Sequence, residues 1–150
     1  MYHYKESGLP NVYLANGYRK VETPYGEGIA IDNVELLHEA ICNTIVEEKP
    51  ALLTGPEIRF IRKYLNLTQS QLASYLGVQA QSVRRWEKLG TAPKPADRAV
   101  RMAYRDITRH YSKPLDELAK LSSKSAKSRK VQYEFLAGSN DHWRPEVHCA

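Results

Sequence analysis

Between residues 54 and 88, apolar positions recur every three or four residues and predict three helices in close succession. This spacing places the apolar side chains on one face of each α-helix, which then packs inward. The positions predicted to face inward are Ile58, Ile61 and Leu65 in the first helix, Leu72, Ala73 and Leu76 in the second, and Val83 and Trp86 in the third. The pattern therefore predicts a small helical domain.

Capping and turn signals mark where these helices begin and end. Thr54-Gly55-Pro56-Glu57 and Thr68-Gln69-Ser70-Gln71 both fit the capping box, in which Thr and a later Glu or Gln satisfy each other's backbone N–H groups. Gly77 stands where a tight turn needs the left-handed conformation that glycine adopts at little cost. The third helix is therefore predicted over about residues 80–88.

The exposed positions of the third helix carry glutamine and arginine. Two short capped helices joined by a glycine turn are typical of a helix-turn-helix, whose second helix enters the DNA major groove. Gln and Arg can form paired hydrogen bonds with adenine and guanine edges. The residues expected to face bases are Gln79, Gln81, Ser82, Arg84 and Arg85, and Arg84 could instead bind a phosphate. Those expected to bind phosphates, at helix termini or as free lysines, are Thr68, Gln69, Lys88 and Lys94.

The segment LTQSQLASYLGVQAQSVRRWEK resembles the Cro/repressor-type (XRE) helix-turn-helix. The positions that match its pattern are Gln69, Leu72, Ala73, Leu76, Gly77, Val78, Val83, Trp86 and Glu87. This resemblance implies a Cro/repressor-like helical domain that binds an operator in double-stranded DNA. We also expect Glu87 to pair with Arg59 or Arg62 of the first helix.

A longer stretch resembles the MqsA-type antitoxins and related small bacterial regulators. It comprises NGYRKVETPYGEGIAIDNVELLHEAI and LTGPEIRFIRKYL and, with the helix-turn-helix, covers roughly residues 11–110. The resemblance implies that Gln81 and Arg85 are the main base readers and that a protein toxin could be a partner. Those antitoxins often carry a zinc module with two CxxC pairs. This chain has only Cys42 and Cys149, so it lacks the thiolates for that site, and no metal or cofactor is expected.

The chain before the helix-turn-helix predicts strands followed by one helix. Val12–Leu14 and Tyr18–Thr23 flank Ala15-Asn16-Gly17, and Asn-Gly between strand patterns indicates a hairpin. A turn over residues 24–28 and a short strand over residues 29–31 follow. A helix is then predicted from about residue 32 to residue 48, where Lys49-Pro50 ends it.

The chain after residue 90 predicts two helices, a linker and a hairpin. A helix from Pro95 to about His110 has as its expected inner face Val100, Ala103, Tyr104 and Ile107. A shorter helix over residues 114–121 is followed by SSKSAKSRK, a basic segment without apolar residues that is typical of a linker. A hairpin over residues 131–150 is expected to join the N-terminal sheet or a partner chain, because an isolated hairpin is barely stable.

The predicted organisation is therefore mainly α with a small β part. Its regions are a small α+β region at 1–50, the helix-turn-helix domain at 51–121, the linker at 122–130 and the C-terminal hairpin or tail at 131–150. Charge divides along the same lines. Residues 55–130 carry 17 Lys/Arg and 6 Asp/Glu, a net charge of +11, whereas residues 1–54 have a net charge of −4. A basic helix-turn-helix region is what phosphate binding requires.

Other classes of function are disfavoured by the sequence. It has no nucleophile elbow, HExxH motif, phosphate-binding glycine loop or paired carboxylates, so an enzyme is not expected. His142, His148 and Cys149 lie near one another, but their spacing fits no tetrahedral zinc pattern. The sequence lacks a long apolar run and an apolar leader and has few cysteines, which predicts a cytoplasmic protein with no membrane partner. The resemblance to small bacterial regulators implies a bacterial or phage protein.

These patterns predict a sequence-specific DNA-binding transcriptional regulator that represses transcription, with its own promoter as the expected operator. A homodimer is expected because one such helix covers only a few base pairs. The alternative is an antitoxin of a type II toxin-antitoxin pair, whose acidic residues 1–54 bind a basic toxin while the helix-turn-helix represses the operon. A third class, a non-specific nucleic-acid or architectural protein, would lack the Gln/Arg helix face.

Overall fold

A computed structural model describes residues 1–108, 131–138 and 142–149 of the chain. The chain divides into two compact units between Ile41 and Cys42. The β unit contains Met1–Ile41 and the two C-terminal strands, and the helical unit begins at Cys42. Helix α1 (Val34–Glu48) contributes residues to both units. The predicted helix at 114–121 and linker at 122–130 lie outside the described residues.

A four-stranded sheet is the centre of the β unit, and its order is β1–β2–β5–β6. The strands are β1 (Tyr2–His3), β2 (Val12–Leu14), β5 (Val131–Ala137) and β6 (Trp143–Cys149). Strand β5 runs parallel to β2, with Val12 opposite Tyr133 and Leu14 opposite Phe135. These four side chains are buried. The C-terminal hairpin thus joins the N-terminal sheet, one of the two places expected for it.

A separate two-stranded sheet corrects one prediction. Strand β3 (Tyr18–Thr23) pairs with β4 (Gly26–Ile31), whereas the sequence predicts that β3 pairs with β2 across Ala15-Asn16-Gly17. That prediction is wrong, because β1 and β5 occupy both edges of β2. Gly17 is left-handed, with φ of 77°, but Asn16 is not, and a two-residue type I′ turn requires both central residues to be so. Asn16 Oδ1 instead accepts a hydrogen bond from the N–H of Ala137 at 2.6 Å.

The described residues of the helical unit contain the second part of α1 and four further helices. They are α2 (Gly55–Tyr64), α3 (Gln69–Leu76), α4 (Ala80–Glu87) and α5 (Lys94–Thr108). Both predicted capping boxes are present, at Thr54 with Glu57 and at Thr68 with Gln71. Gly77 is left-handed, with φ of 72°. The local signals therefore position α2, α3 and α4 as the sequence predicts.

The interior of the helical unit combines apolar side chains with a buried ion pair. Ile58, Ile61, Leu72, Val83 and Tyr104 are at most 1% exposed. Among them lies the pair of Asp97 and Arg101, joined at 3.1 Å, with both side chains less than a tenth exposed. Asp97 Oδ1 accepts from the N–H of Leu53 at 2.7 Å. The guanidinium of Arg101 donates to four backbone carbonyl groups, those of Ile45, Val46, Lys49 and Ala51.

In the described part of the chain, no helix combines the length and apolar character needed to cross a lipid bilayer.

Candidate nucleic-acid interface

Helices α3 and α4 meet at a turn that the sequence specifies locally. The N–H of Gly77 donates to the carbonyl group of Ser74 at 3.3 Å, and the N–H of Val78 donates to that of Ala73 at 2.9 Å, so two carbonyl groups of the last turn of α3 are satisfied. Gln79 is extended and precedes α4, and its side chain makes no capping hydrogen bond. The turn thus directs the chain from α3 into α4 and leaves the Gln79 side chain exposed.

Helix α4 has one buried side and one exposed polar side. Val83 and Trp86 are 0% and 9% exposed, as their spacing predicts. Of the residues expected to contact bases, Gln79, Gln81, Arg84 and Arg85 are exposed and Ser82 is half-buried. The exposed side of α4 therefore carries amide and guanidinium groups, the types of side chain that can form paired hydrogen bonds with base edges.

The end of α4 is fixed to α2 and α3 through Glu87. Its carboxylate accepts two hydrogen bonds from Arg62, at 2.7 and 3.1 Å, and one from the side-chain amide of Gln69 at 3.2 Å. Arg62 also donates to the carbonyl group of Leu67 at 3.0 Å. Of the two arginines expected to pair with Glu87, Arg62 is the one in contact. One amide hydrogen of Gln69 is therefore committed to Glu87.

A cleft of about 490 Å³ opens between α2, the beginning of α3 and the end of α4. Its lining residues are Arg59, Arg62, Thr68, Gln69, Arg84, Glu87 and Lys88. The cleft brings together three of the four residues expected to bind phosphates; the fourth, Lys94, is exposed at the start of α5 and does not line it. Arg84 lines the cleft and Arg85 does not. The sequence did not identify Arg59 as a residue of this cleft. Arg59 lies three residues before Arg62, so the two side chains lie on one surface of α2.

The carboxylates of this region are withdrawn from the surface. Between residues 55 and 105 the sequence has three acidic residues, and each is buried against a cation: Glu57 with Lys49, Glu87 with Arg62 and Asp97 with Arg101. The exposed cations of the same stretch are Arg59, Lys63, Arg84, Arg85, Lys88, Lys94 and Arg98. The surface around α4 therefore carries positive charge with no surface carboxylate between residues 55 and 105 to neutralise it.

Two hydrogen-bonded pairs in the β unit have displaced pKa values. The hydrogen bond from Tyr2 to the Glu6 carboxylate, at 2.5 Å, raises the pKa of Tyr2 to about 12 and lowers the pKa of Glu6. Tyr4 Oη lies 2.8 Å from His38 Nε2, and their rings stack. Burial lowers the pKa of His38 and raises that of Tyr4. His38 is thus a half-buried packing residue, and in the described chain no group of three or more His, Cys, Asp or Glu side chains is placed to hold a metal ion.

Comparison with known proteins supports this assignment of the helices. Residues 58–97 match a protein-family model described as helix-turn-helix. This segment is similar to Cro/C1-type helix-turn-helix domains. Domains of this family bind DNA. The matched segment extends from α2 into the first turn of α5 and includes all of α3 and α4, and it leaves out the β unit. Neither a search of curated proteins nor a search of solved structures found a match to the chain.

Proposed function

We propose that this chain is a sequence-specific transcriptional regulator that places α4 in the major groove of an operator and represses the promoter there. The observation that carries the proposal is the exposed side of α4. Gln81 and Arg85 project from a helix whose other side is anchored by Val83 and Trp86, on a surface with a strong excess of cations. A surface that is only basic would bind any DNA. Gln and Arg on an α-helix that fits the major groove add recognition of base edges.

The two adjacent arginines of α4 take different roles in this proposal. Arg84 lines the cleft with Thr68 and Lys88, so we assign it to a phosphate. Arg85 is exposed on α4 but lies outside the cleft lining, so we assign it, with Gln81, to base edges. In this division Arg84 contributes to the strength of binding and Arg85 to the preference for one sequence, because phosphate contacts carry no direct sequence information.

A DNA phosphate fits the cleft by charge and by donor chemistry. The N-terminus of α3 offers backbone N–H groups and the positive end of the helix dipole. Arg59 and Lys88 add exposed cations from α2 and from the end of α4. A phosphate bound there would fix the register of the duplex while α4 reads the adjacent groove.

We further propose that the protein binds DNA as a homodimer. Helix α4 has eight residues and is therefore about 12 Å long, which limits it to a few base pairs. Operators of helix-turn-helix dimers present two half-sites about 34 Å apart, one turn of the duplex. A second copy of this chain would supply the second α4.

The test begins with selection of bound DNA from a random pool by the full chain. We expect enrichment of a short motif, repeated with two-fold symmetry at a spacing of about 10 base pairs. On the selected site, Arg85→Ala should weaken binding by about tenfold or more and relax the preference at one base pair. Arg84→Ala should weaken binding to selected and scrambled DNA alike. It should also make the negative slope of log K against log salt shallower by about 0.9.

Arg98→Ala is the matched control, because Arg98 is an exposed arginine of α5 that does not line the cleft. It should change the preference among sites very little. The absence of any enriched motif, with wild-type binding equal on all DNA, would refute sequence-specific regulation and favour a non-specific nucleic-acid-binding protein.

A second candidate function, an antitoxin, draws support from the β unit. This unit is compact and lies outside the helix-turn-helix match, and residues 1–54 have a net charge of −4, which suits a basic protein partner. If a small toxic reading frame adjoins this one, co-expression of the full chain should restore growth. Arg85→Ala should restore growth equally well, because the proposed toxin surface excludes α4. Failure of the full chain to restore growth would exclude this candidate.

A further inference from the structure

Helix α2 begins in direct contact with the end of α4. The N–H of Gly55, the first residue of α2, donates to the carbonyl group of Leu89 at 2.9 Å, and the N–H of Ala92 donates to the carbonyl group of Leu53 at 2.8 Å. These two bonds join residues 53–55 to residues 89–92. Gly55 is buried within this contact.

No side chain fits at this point. A Cβ atom on Gly55 would lie 2.4 Å from the carbonyl oxygen of Glu87 and 2.5 Å from that of Leu89. Ordinary van der Waals contact begins near 3.4 Å, so the two segments would have to separate by about 1 Å. The crowded atoms belong to the backbone, so no rotation of a side chain can relieve the overlap.

Such a separation would fall mainly on α4. Five residues of α2 are buried, whereas α4 buries only Val83 and Trp86. The first turn of α2 is also held by the Thr54 capping box and by the ion pair of Glu57 with Lys49. The end of α4 is held by the hydrogen bonds of Glu87 with Arg62 and Gln69, but α4 buries fewer side chains than α2, so we expect α4 to take up more of the displacement.

Displacement at the end of α4 matters because the same short helix carries the base-reading residues. Glu87 is held through its carboxylate by Arg62, and its carbonyl oxygen lies where a Cβ atom on Gly55 would fall, so the overlap acts directly on the end of α4. A shift of about 1 Å over a helix about 12 Å long tilts its axis by about 5°. Groups that contact bases must be held within about 0.5 Å of their productive positions, and a shift of about 1 Å at the end of α4 exceeds that tolerance.

We propose that Gly55 is a positioning residue: its missing side chain lets α2 abut the last carbonyl groups of α4 and thereby sets the angle at which α4 meets base edges. This inference rests on the proposed DNA-binding function. Gly55 itself touches no base in this proposal. It acts through the backbone of Glu87 and Leu89.

The test compares Gly55→Ala with Gly90→Ala. Gly90 adjoins the same contact, but a Cβ atom there meets nothing within 4 Å. Affinities of wild type and both variants are measured on the selected site and on a scrambled site, at a temperature where circular dichroism shows all three to be folded. We expect Gly55→Ala to lower the ratio of the two affinities by about tenfold or more. Gly90→Ala should leave that ratio within about twofold of wild type.

A purely structural role would give a different result. Loss of stability alone would reduce the active fraction on both DNAs equally and leave the ratio unchanged, and an unchanged ratio would overturn the proposal. If wild type itself shows no preference among DNA sequences, the proposed function fails instead, so the two failures are distinguishable.

Wild-type amide exchange covers the case in which Gly55→Ala does not fold. If the contact between Gly55 and Leu89 positions α4, binding of the selected site must stabilise that contact by linkage. The Gly55 amide should then exchange more slowly on selected than on scrambled DNA at equal occupancy. The Tyr4 amide, which donates to the Val12 carbonyl group in the β unit, should exchange at the same rate on both. Equal exchange of the Gly55 amide on the two DNAs would overturn the proposal.

Discussion

Removal of the buried guanidinium of Arg101 should destabilise the helical unit more than any change to an exposed arginine. Arg101 is 7% exposed, and Arg101→Met keeps much of its apolar stem. The substitution leaves the carboxylate of Asp97 without its cation. It also removes a donor from the carbonyl groups of Ile45, Val46, Lys49 and Ala51.

The expected loss follows from these contacts. Breaking a buried ion pair by removing one partner costs about 3–5 kcal/mol, and buried carbonyl groups left without a donor add about 1 kcal/mol each when water cannot reach them. A loss of about 4 kcal/mol is a large part of the usual 5–15 kcal/mol of a domain. For a domain of this size, even about 3 kcal/mol lowers the melting temperature by at least about 12 °C.

Urea unfolding followed by circular dichroism measures the change. Arg98→Met is the control on the same helix, because Arg98 is exposed, and its effect should stay within about 0.5 kcal/mol. Asp97→Asn combined with Arg101→Met should recover part of the loss, since the amide removes the unpaired charge and its oxygen can still accept from the N–H of Leu53. A loss below about 1 kcal/mol for Arg101→Met, or an equal loss for Arg98→Met, would refute the reasoning.

Three further expectations concern the β unit and metal binding. Burial lowers the pKa of His38 from its ordinary value of 6.5. The unfolded chain therefore binds the proton at a higher pH than the folded chain, and stability should fall as the pH drops below about 6.5. The melting temperature of His38→Gln should fall less with pH than that of wild type, and the same fall in both would contradict this. Gly17→Ala should lower the melting temperature more than Gly8→Ala, because both glycines are left-handed but only a Cβ at Gly17 meets Trp143, at 2.3 Å; equal losses would exclude the clash. Strong chelation should leave the melting temperature unchanged, because the chain lacks two CxxC pairs, and a sharp fall would reveal a structural ion.

The parts of the fold that sequence alone predicts are those set by neighbouring residues. The capping boxes at Thr54 and Thr68, and the left-handed Gly77, depend on contacts within a few residues, and the helix starts follow from them. The pairing of β2 depends instead on β5, more than a hundred residues later. The Asn16-Gly17 pair therefore looked like a hairpin turn, because nothing nearby shows that both edges of β2 are occupied.

The candidate site divides in the same way. Helical periodicity identifies Val83 and Trp86 as inward-facing and so leaves Gln81 and Arg85 exposed. It cannot identify Arg59 as part of the cleft, because that depends on how α2 packs against α4. Asp97 and Arg101 share the helical spacing of the buried Val100 and Tyr104, but charged residues are ordinarily expected at the surface, so the sequence does not predict their burial. A site made of side chains from three helices depends on how the helices pack, and neighbouring residues in the sequence do not determine that packing.

The parallel pairing of β2 with β5 has a consequence for synthesis of the chain. Residues 12–14 leave the ribosome long before residues 131–137, and at about 5–20 residues per second the interval is roughly 6–24 s. The helix-turn-helix between them can fold during this time from its own local contacts. The edge of β2 meanwhile has no partner, and Val12 and Leu14 are without their cover. A nascent chain would thus already have its DNA-binding helices while its sheet was incomplete, and a stalled or truncated product would present an unpaired strand edge, a known route to aggregation.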